Sequence, residues 1–220
     1  SFKSCEDYFK FYKNDSLIKV SDKNPLLAIN LQHAELILID LKKKKVKTDP
    51  FSVLGLSMFA SSLDKKQVNE IVGILLKDLD FDPVLFRFFD DKKLLKLMNQ
   101  KYDPFIKNFN KKFNMKLTLI EDFKKNVNCV TNKDQFKKFI LKLNNFNLTI
   151  FFKLSSISNS VILSYFFLMK KIDILEFFKL INLENKYQQN HWGYVDEQKK
   201  IDEDSLTTLK KISFFFKNVN

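Results

Sequence analysis

The residue types that carry most enzyme chemistry are sparse in this chain of 220 residues. Its two histidines, His33 and His191, and its two cysteines, Cys5 and Cys129, are far apart in sequence. A structural zinc site usually takes its ligands from closely spaced Cys and His pairs, and no such pair occurs here. The serines lie in no GxSxG context, which a nucleophile elbow requires. The sequence therefore predicts no metal site and no catalytic constellation, and we interpret both histidines as surface or half-buried side chains.

The glycines and acidic residues do not suggest cofactor chemistry either. A phosphate-binding loop needs clustered glycines whose backbone N–H groups approach the anion, but Gly55, Gly73 and Gly193 are isolated. The acidic runs at residues 90–91 and 202–204 are expected at helix N-termini, where carboxylates complement the helix dipole. We therefore expect no cofactor, no enzymatic activity and a function in binding.

The charge balance is typical of proteins with polyanionic partners. The chain carries 38 basic and 26 acidic residues, a formal net charge of +12, and clustered cations bind phosphate through counterion release. However, Arg87 is the sole arginine, although arginine is the better residue for bidentate phosphate contacts. Lys, Phe, Asn and Ile all have A/T-rich codons, so a biased base composition explains the lysine content without selection for nucleic acid.

The elements that must position these residues change in type along the chain. Residues 1–30 hold short apolar runs, "SLIKV" and "PLLAIN", separated by the turn formers "KND" and "SDKN", which indicates β-structure. From residue 31 onward the apolar spacing is helical. We predict an α+β protein with a β-rich N-terminal part, residues 1–30, and a mainly α-helical domain, residues 31–220.

Helix boundaries follow from capping residues and prolines. Asp49-Pro50 is expected to open one helix, and Asp64 to cap the next. Pro104, inside a helical pattern that ends at residue 113, predicts a kink or a restart. Asp173 is expected to cap a later helix. The segment "FDPVLFRFF" is expected to be an extended connection, "KLTLI" a strand and residues 121–132 a loop, and further helices are predicted near residues 132–145, 146–170, 173–190 and 196–217.

No part of the sequence predicts membrane insertion or secretion. The most apolar region, "IFFKLSSISNSVILSYFFLM", is interrupted by Lys153 and by Ser155, Ser156, Ser158 and Ser160. Its unbroken apolar run is far shorter than the ~20 residues of a spanning helix. The first residues also lack the continuous apolar segment of a signal peptide. We expect the apolar region to form a buried core helix.

Several short motifs occur in a fixed order between residues 15 and 195. In this order and spacing the chain resembles the mitochondrial and α-proteobacterial chaperones known as ATP synthase F1 complex assembly factor 2. The last motif is similar to the family's Leu-acid-x-x-aromatic-Gln-x-x-x-Trp-Gly. The motifs are "NPL" at residues 24–26, "DP" at 49–50, "SSLD" ending at Asp64, "FDPVLFR" ending at Arg87, "YDP" at 102–104 and "LENKYQQNHWG" ending at Gly193.

The resemblance implies a chaperone of the mitochondrial matrix that binds the newly imported α subunit of F1 and has no enzymatic activity. An unassembled subunit exposes an oligomer interface, and shielding it needs a matching protein surface rather than chemistry. In the family, the acid matched by Glu184 is implicated in function. Glu184, Tyr187 and Gln188 are therefore expected to contact the partner.

The other motif residues are expected to be structural. Gly193 suits the C′ position of the preceding helix, where a left-handed conformation closes a helix without a Cβ penalty. Trp192 is expected to be an aromatic anchor packed on the core. Arg87 matches part of the family's tyrosine-arginine pair, and we expect its planar guanidinium to form a buried ion pair or a carbonyl clamp. Asp103 and Pro104 belong to the matched Asp-Pro motif.

A second interpretation follows from the net charge and from departures from the family pattern. Leu41 stands where the family has tryptophan, and Val53-Leu54 stands where it has Met-Pro. A divergent, highly basic copy is compatible with a structural, RNA-contacting subunit of a large mitochondrial complex such as the mitochondrial ribosome. Stable RNA association that weakens steeply with salt would distinguish this function from that of a chaperone.

Overall fold

The computed structural model describes residues 1–5, 7–21, 23–43, 48–87, 90–121 and 130–220. Within these ranges helices dominate, and a small antiparallel sheet lies at the N-terminus, so the predicted α+β class is confirmed. The chain forms two compact units, each discontinuous in sequence. The first unit comprises Ser1–Val68, Leu143–Ile150 and Thr207–Asn220, and the second comprises Asn69–Lys142 and Phe151–Leu206. The domain boundary after residue 30 stays a prediction.

The N-terminal sheet belongs to the first unit. Strand β2 pairs antiparallel with β1, and it also pairs antiparallel with β3 and β4. Asn14 and Asp15 both adopt positive φ, as a tight two-residue turn between β2 and β3 requires. The turn predicted at "KND" is thereby confirmed. The strands are β1 (Phe2–Cys5), β2 (Tyr8–Lys13), β3 (Ser16–Leu17) and β4 (Leu27–Ala28).

Two helices, α1 (Leu31–Lys42) and α2 (Val53–Ser62), pack next to this sheet in the first unit. Helix α2 begins after Ser52 and not at Asp49-Pro50 as predicted. The Ser52 hydroxyl accepts a hydrogen bond from the Gly55 N–H and so caps the helix, whereas the Asp49 carboxylate accepts the N–H of Phe51 in the preceding turn.

His33 lies in the interior of the first unit, where it is fully buried. The interpretation of this residue as a surface or half-buried side chain is therefore wrong. Its Nδ1 accepts a hydrogen bond from the Ile29 N–H at 3.3 Å, and its Nε2 lies 2.7 Å from Ser57 Oγ. The ring also makes edge contacts with Phe146 and Phe215. Burial lowers the pKa of His33 to about 4, so the ring is a neutral part of the core at physiological pH.

Short turns and helices make up the rest of the described chain. Phe86 and Ile120 form an isolated parallel bridge, so the predicted strand "KLTLI" is paired only at its two ends. The loop predicted at residues 121–132 lies mostly outside the described residues. The helices are α3 (Lys65–Asp78), α4 (Lys92–Phe113), α5 (Asp134–Leu141), α6 (Asn145–Ser158), α7 (Val161–Leu168), α8 (Ile174–Ile181), α9 (Leu183–Trp192) and α10 (Asp196–Val219); the strands are β5 (Lys116–Leu117) and β6 (Val130–Thr131), and 3-10 turns lie at Leu79–Phe81 and Pro83–Leu85.

Capping residues define several of these helices as predicted. Asp64 Oδ1 accepts the Gln67 N–H at 2.8 Å while Gln67 Oε1 accepts the Asp64 N–H at 3.0 Å, which is a complete capping box at α3. Asp173 accepts two N–H groups at the start of α8. The segments predicted as single helices at 146–170 and 173–190 are each divided. Asn159 breaks the first at positive φ, and Asn182 separates α8 from α9.

Two expectations about helix boundaries are wrong. Helix α4 runs through Pro104, so the helix does not restart there, and the alternative of a kink stays a prediction. Six apolar side chains along one face of α4 are buried, and burying each contributes about 1.5–3 kcal/mol. Together these contributions are several times the ~3 kcal/mol cost of an interior proline. The acidic run at residues 202–204 lies inside α10, because that helix begins earlier, at Asp196.

Helix α7 is the buried core helix that the apolar region predicted, since each of its residues is buried. Serine hydroxyls of this region donate to helix carbonyls, for example from Ser164 to the Ser160 carbonyl at 2.7 Å, whereas the buried Ser155 hydroxyl has no hydrogen-bond partner among the described residues. None of the helices within the described ranges is both long and apolar enough to cross a membrane.

Candidate protein-binding site on α9

The candidate site begins with α9, a polar helix in the second unit. All of its residues are described, and none of them is buried. Helix α9 ends at Gly193, whose N–H donates to the Gln189 carbonyl at 2.9 Å and whose φ is 91°. A side chain would be strained at this φ, so glycine is required where the chain leaves the helix. Gly193 ends the helix as predicted, but as the C-cap residue with ψ 165°, and not at the C′ position in the left-handed helical conformation that the sequence predicted.

Trp192 is 81% exposed on the last turn of α9, so the expected packing of this side chain on the core is wrong. The reason is that α9 buries no residue and therefore offers no apolar surface on which the indole could pack. Tyr194 and Val195 follow at once and are 42% and 67% exposed. We call Trp192, Tyr194 and Val195 the α9 apex. Adjacent exposed apolar side chains of this kind mark interaction surfaces.

A hydrogen-bond network centred on the Asp202 carboxylate holds Tyr194 of the α9 apex. The Tyr194 hydroxyl donates to Asp202 Oδ2 at 2.7 Å, and Lys186 Nζ lies 3.1 Å from the same oxygen. Gln198 donates to Asp202 Oδ1 at 3.0 Å. Burial raises the pKa of Asp202, but hydrogen bonds from Gln198, Tyr194 and Lys186 outweigh it and hold the pKa below its usual range. This charged carboxylate ties α9 to the first turns of α10.

The three residues predicted to contact a partner lie on α9, but they point to different neighbours. Gln188 donates to Glu184 Oε1 at 3.0 Å, as their spacing of one turn predicts. The Tyr187 hydroxyl instead donates to Asp91, the N-cap residue of α4, at 2.8 Å. Glu184 is half-buried, and this desolvation raises the pKa of its carboxyl group. A role of these residues in partner binding stays a prediction.

Arg87 lies in the interior of the second unit, where it is 6% exposed. Its guanidinium donates to the carbonyls of Val84 and Phe86 at 2.7 and 2.8 Å and to Asn99 Oδ1 at 2.7 Å. It also forms an ion pair with Asp103 at 3.0 Å. The structure thus contains the predicted carbonyl clamp, whereas the ion pair is not the buried one predicted, because the Asp103 side chain is 52% exposed. Arg87 joins the turn after Pro83–Leu85 to the middle of α4.

Asp82 is a buried carboxylate that the sequence analysis missed. It is fully buried, and it accepts hydrogen bonds from the Val84 N–H at 3.0 Å, the Ile162 N–H at 2.9 Å and the Ser160 hydroxyl at 2.9 Å. Burial raises the pKa of Asp82 to about 6, although these hydrogen bonds oppose the shift. The Asp-Pro sequence indicates a turn at this position. Nothing in the sequence connects it to Ser160, the N-cap residue of α7.

The described residues offer no alternative site built on a metal. Within those ranges, no group of three His, Cys, Asp or Glu side chains lies close enough together to hold an ion. The chemistry available on α9 is therefore that of a surface: exposed aromatic and aliphatic groups beside a half-buried carboxylate.

Comparison with known proteins gives a sequence relative and a set of structural relatives. No protein-family model matches the chain. It is 24% identical over 152 residues to the mitochondrial protein atp12 of Schizosaccharomyces pombe. The match covers 64% of this chain and 51% of the yeast protein, so the chain matches about half the length of that relative.

The structural relatives share the fold over the whole chain. Atp12 from Paracoccus denitrificans superposes with a TM-score of 0.82 at 16% identity, covering 100% of this chain and 95% of that one. A candidate chaperone from Agrobacterium tumefaciens gives a TM-score of 0.84 at 15% identity, with coverage of 100% and 84%. The fold of the chain is therefore the Atp12 fold. The chain is thus similar to Atp12 proteins both in fold and in part of its sequence.

Proposed function

We propose that the chain is an assembly chaperone that acts in mitochondria by shielding an unassembled protein subunit. The relatives support this function, since one is named as a mitochondrial Atp12 protein and another is described as a candidate chaperone. The observation that carries the proposal is the α9 apex, where Trp192 is 81% exposed beside Tyr194 and Val195. Tryptophan and tyrosine dominate the binding energy of protein interfaces, because they bury large areas at small entropic cost.

The client we propose is the α subunit of F1, bound in the mitochondrial matrix. The motif around Glu184 supports this choice through its similarity to the assembly-factor family. The physical state of Glu184 also suits an interface. A half-buried carboxylate has already lost part of its hydration, so a lysine or arginine from the client would interact with it more strongly than with a fully exposed acid.

Replacing Glu184 with lysine tests the charge at this site. We expect Glu184→Lys to fold normally and to lose at least about tenfold in affinity for the α subunit, because repulsion replaces attraction at the interface. The measurement is capture of purified α subunit by the immobilised chain, with circular dichroism as the check on folding. Glu121→Lys, an exposed acid outside α9, is the matched control. Full capture by a folded Glu184→Lys variant would remove Glu184 from the site.

Replacing Trp192 with alanine tests the α9 apex. Because the indole is mostly exposed, we expect the free energy of unfolding to change by no more than about 0.5 kcal/mol. Loss of a central aromatic contact should weaken capture of the α subunit by at least about tenfold. Phe81→Ala removes an aromatic ring that is 65% exposed elsewhere in the second unit and should leave capture unchanged. If Trp192→Ala captures the α subunit as well as Phe81→Ala does, the α9 apex does not contact the client.

Gentle purification of the chain from mitochondria tests the function itself. We expect free α subunit without its β partner to co-purify. Recovery of intact ribosomal particles, lost as the salt concentration rises, would contradict the chaperone function.

A further inference from the structure

A groove between α4 and α7 in the second unit has apolar walls and two lysine side chains at its edge, Lys112 and Lys171. Its volume is about 640 Å³, which is large enough for one or two side chains of a bound segment. Phe105, Phe166 and Met169 provide apolar lining, and the rings of Phe105 and Phe166 meet edge to face with centroids 4.9 Å apart. We call this the α4–α7 groove.

The polar groups of the groove lack partners within the described chain. Tyr165 lines it and is only 5% exposed, yet its hydroxyl forms no hydrogen bond with any described residue. Lys112 and Lys171 also line the groove, are exposed, and form no ion pair with a described acid. One tyrosine hydroxyl that has no hydrogen-bond partner among the described residues, and two exposed ammonium groups that pair with no described acid, therefore lie around one apolar surface.

The position of Lys171 is fixed by the end of α7. The Lys171 N–H donates to the Phe166 carbonyl and the Lys170 N–H donates to the Phe167 carbonyl, both at 2.9 Å. This pair of bonds is a Schellman motif, and it places Lys170 in the left-handed region at φ 55°, where glycine is usual. A lysine held on such a defined turn loses less freedom on binding than one on a flexible loop.

We propose that the α4–α7 groove binds a client segment that carries a carboxylate beside a large apolar side chain. The inference rests on the proposed function, because it takes the ligand to be part of a protein client. The apolar side chain contacts Phe105, Phe166 and Met169. The carboxylate accepts the Tyr165 hydroxyl hydrogen and pairs with the ammonium groups of Lys112 and Lys171, which gives charge complementarity.

The geometry favours a peptide over RNA. Binding single-stranded RNA relies on aromatic faces that are open to base stacking. Phe166 is 7% exposed and packs edge to face against Phe105, so this pair offers no open face for a base. Arginine, the residue best suited to phosphate, does not line the groove.

Fluorescence anisotropy with labelled peptides and the intact chain tests the proposal. The probe is an acetylated Glu-Leu-Phe-Glu-Leu peptide, and its neutral counterpart carries Gln in place of both Glu residues. We expect the acidic probe to bind at least about tenfold more tightly than the neutral one. Tyr165→Phe should weaken binding of the acidic probe about fivefold, through loss of one hydrogen bond to a charged group.

Charge reversal separates the groove from general attraction to a basic protein. Lys112→Glu combined with Lys171→Glu should abolish binding of the acidic probe. Lys96→Glu combined with Lys179→Glu makes the same change of charge at exposed positions outside the groove and should reduce binding less than about twofold. Equal losses in the two double variants, or equal binding of the two peptides, would overturn the proposal.

Three further outcomes separate this proposal from neighbouring ones. A uridine oligonucleotide that binds more tightly than the acidic peptide, and whose binding is lost in Lys112→Glu/Lys171→Glu, would show that the groove binds RNA and not a peptide. If the peptide fails to bind while the α subunit is still captured, the groove proposal is wrong and the proposed function stands. If the peptide binds through the groove but the α subunit is not captured, the groove proposal stands and the proposed client is wrong.

Discussion

Replacing Asp82 with alanine is expected to lower the free energy of unfolding by about 3 kcal/mol at neutral pH. The change leaves the Val84 N–H, the Ile162 N–H and the Ser160 hydroxyl buried without their acceptor. Each unsatisfied group costs about 1–3 kcal/mol. The substitution also removes a buried charge, which offsets about 3 kcal/mol of this loss, because burial raises the pKa of Asp82 from 3.8 to about 6.

The pH dependence of this effect has a definite sign. A raised pKa means that the folded protein binds the proton more tightly than the unfolded chain, so Asp82 favours folding most below about pH 4 and loses this contribution as the pH rises to about 6. The stability difference between the wild type and Asp82→Ala should therefore be larger at pH 4.5 than at pH 7.5. His33 gives stability the opposite pH dependence, since burial lowers its pKa to about 4. Its contribution is the same in both proteins, so it cancels in the stability difference.

Urea unfolding of both proteins at the two pH values measures this difference. Asp90→Ala, an exposed acid in the second unit, is the matched control and should change stability by less than about 0.5 kcal/mol. A gap that does not change with pH would show that the pKa of Asp82 is not raised. A stability for Asp82→Ala equal to that of the control would show that the buried network contributes nothing.

Replacing Arg87 with lysine, although conservative in charge, is expected to cost about 2–4 kcal/mol of stability. The guanidinium reaches two backbone carbonyls, Asn99 and Asp103 at once, and a single ammonium on a shorter side chain cannot satisfy all four groups. At 6% exposure, water does not replace the lost bonds freely. The measurement is the midpoint of urea unfolding for Arg87→Lys beside the wild type.

Asp103→Asn separates the clamp from the ion pair. The Asp103 side chain is 52% exposed, so removing its charge should cost less than about 1 kcal/mol. A loss in Asp103→Asn as large as that in Arg87→Lys would indicate that the ion pair, and not the contact with the carbonyls, carries the stability.

Local signals in the sequence predicted the fold where local energetics decide it. The "KND" turn, the Asp64 cap and the Asp173 cap depend on residues within one turn of each other, and all three occur as predicted. Pro104 shows where such signals fail. The proline penalty is local, but the burial that outweighs it depends on other helices packing against α4.

The candidate site was predictable only in part, for the same reason. The order of motifs predicted the similarity to Atp12 proteins, and the spacing of Glu184 and Gln188 predicted that they share a face. The exposure of Trp192 was not predictable, because an indole at the end of a helix packs inward unless that helix lacks a buried face. The pairing of Asp82 with Ser160 joins residues far apart in sequence, which no local pattern encodes.

The discontinuous first unit affects how the protein is made. Residues 207–220 complete a core begun by residues 1–68: Phe215 packs on His33, and Asn30 donates to the Asn218 carbonyl. During synthesis the N-terminal sheet and α1 must therefore wait, with apolar surface uncovered, until the end of α10 has left the ribosome. The first unit therefore cannot finish folding before α10 has been synthesised, and until then the nascent chain is itself exposed to the aggregation hazard from which we propose that the protein shields its client.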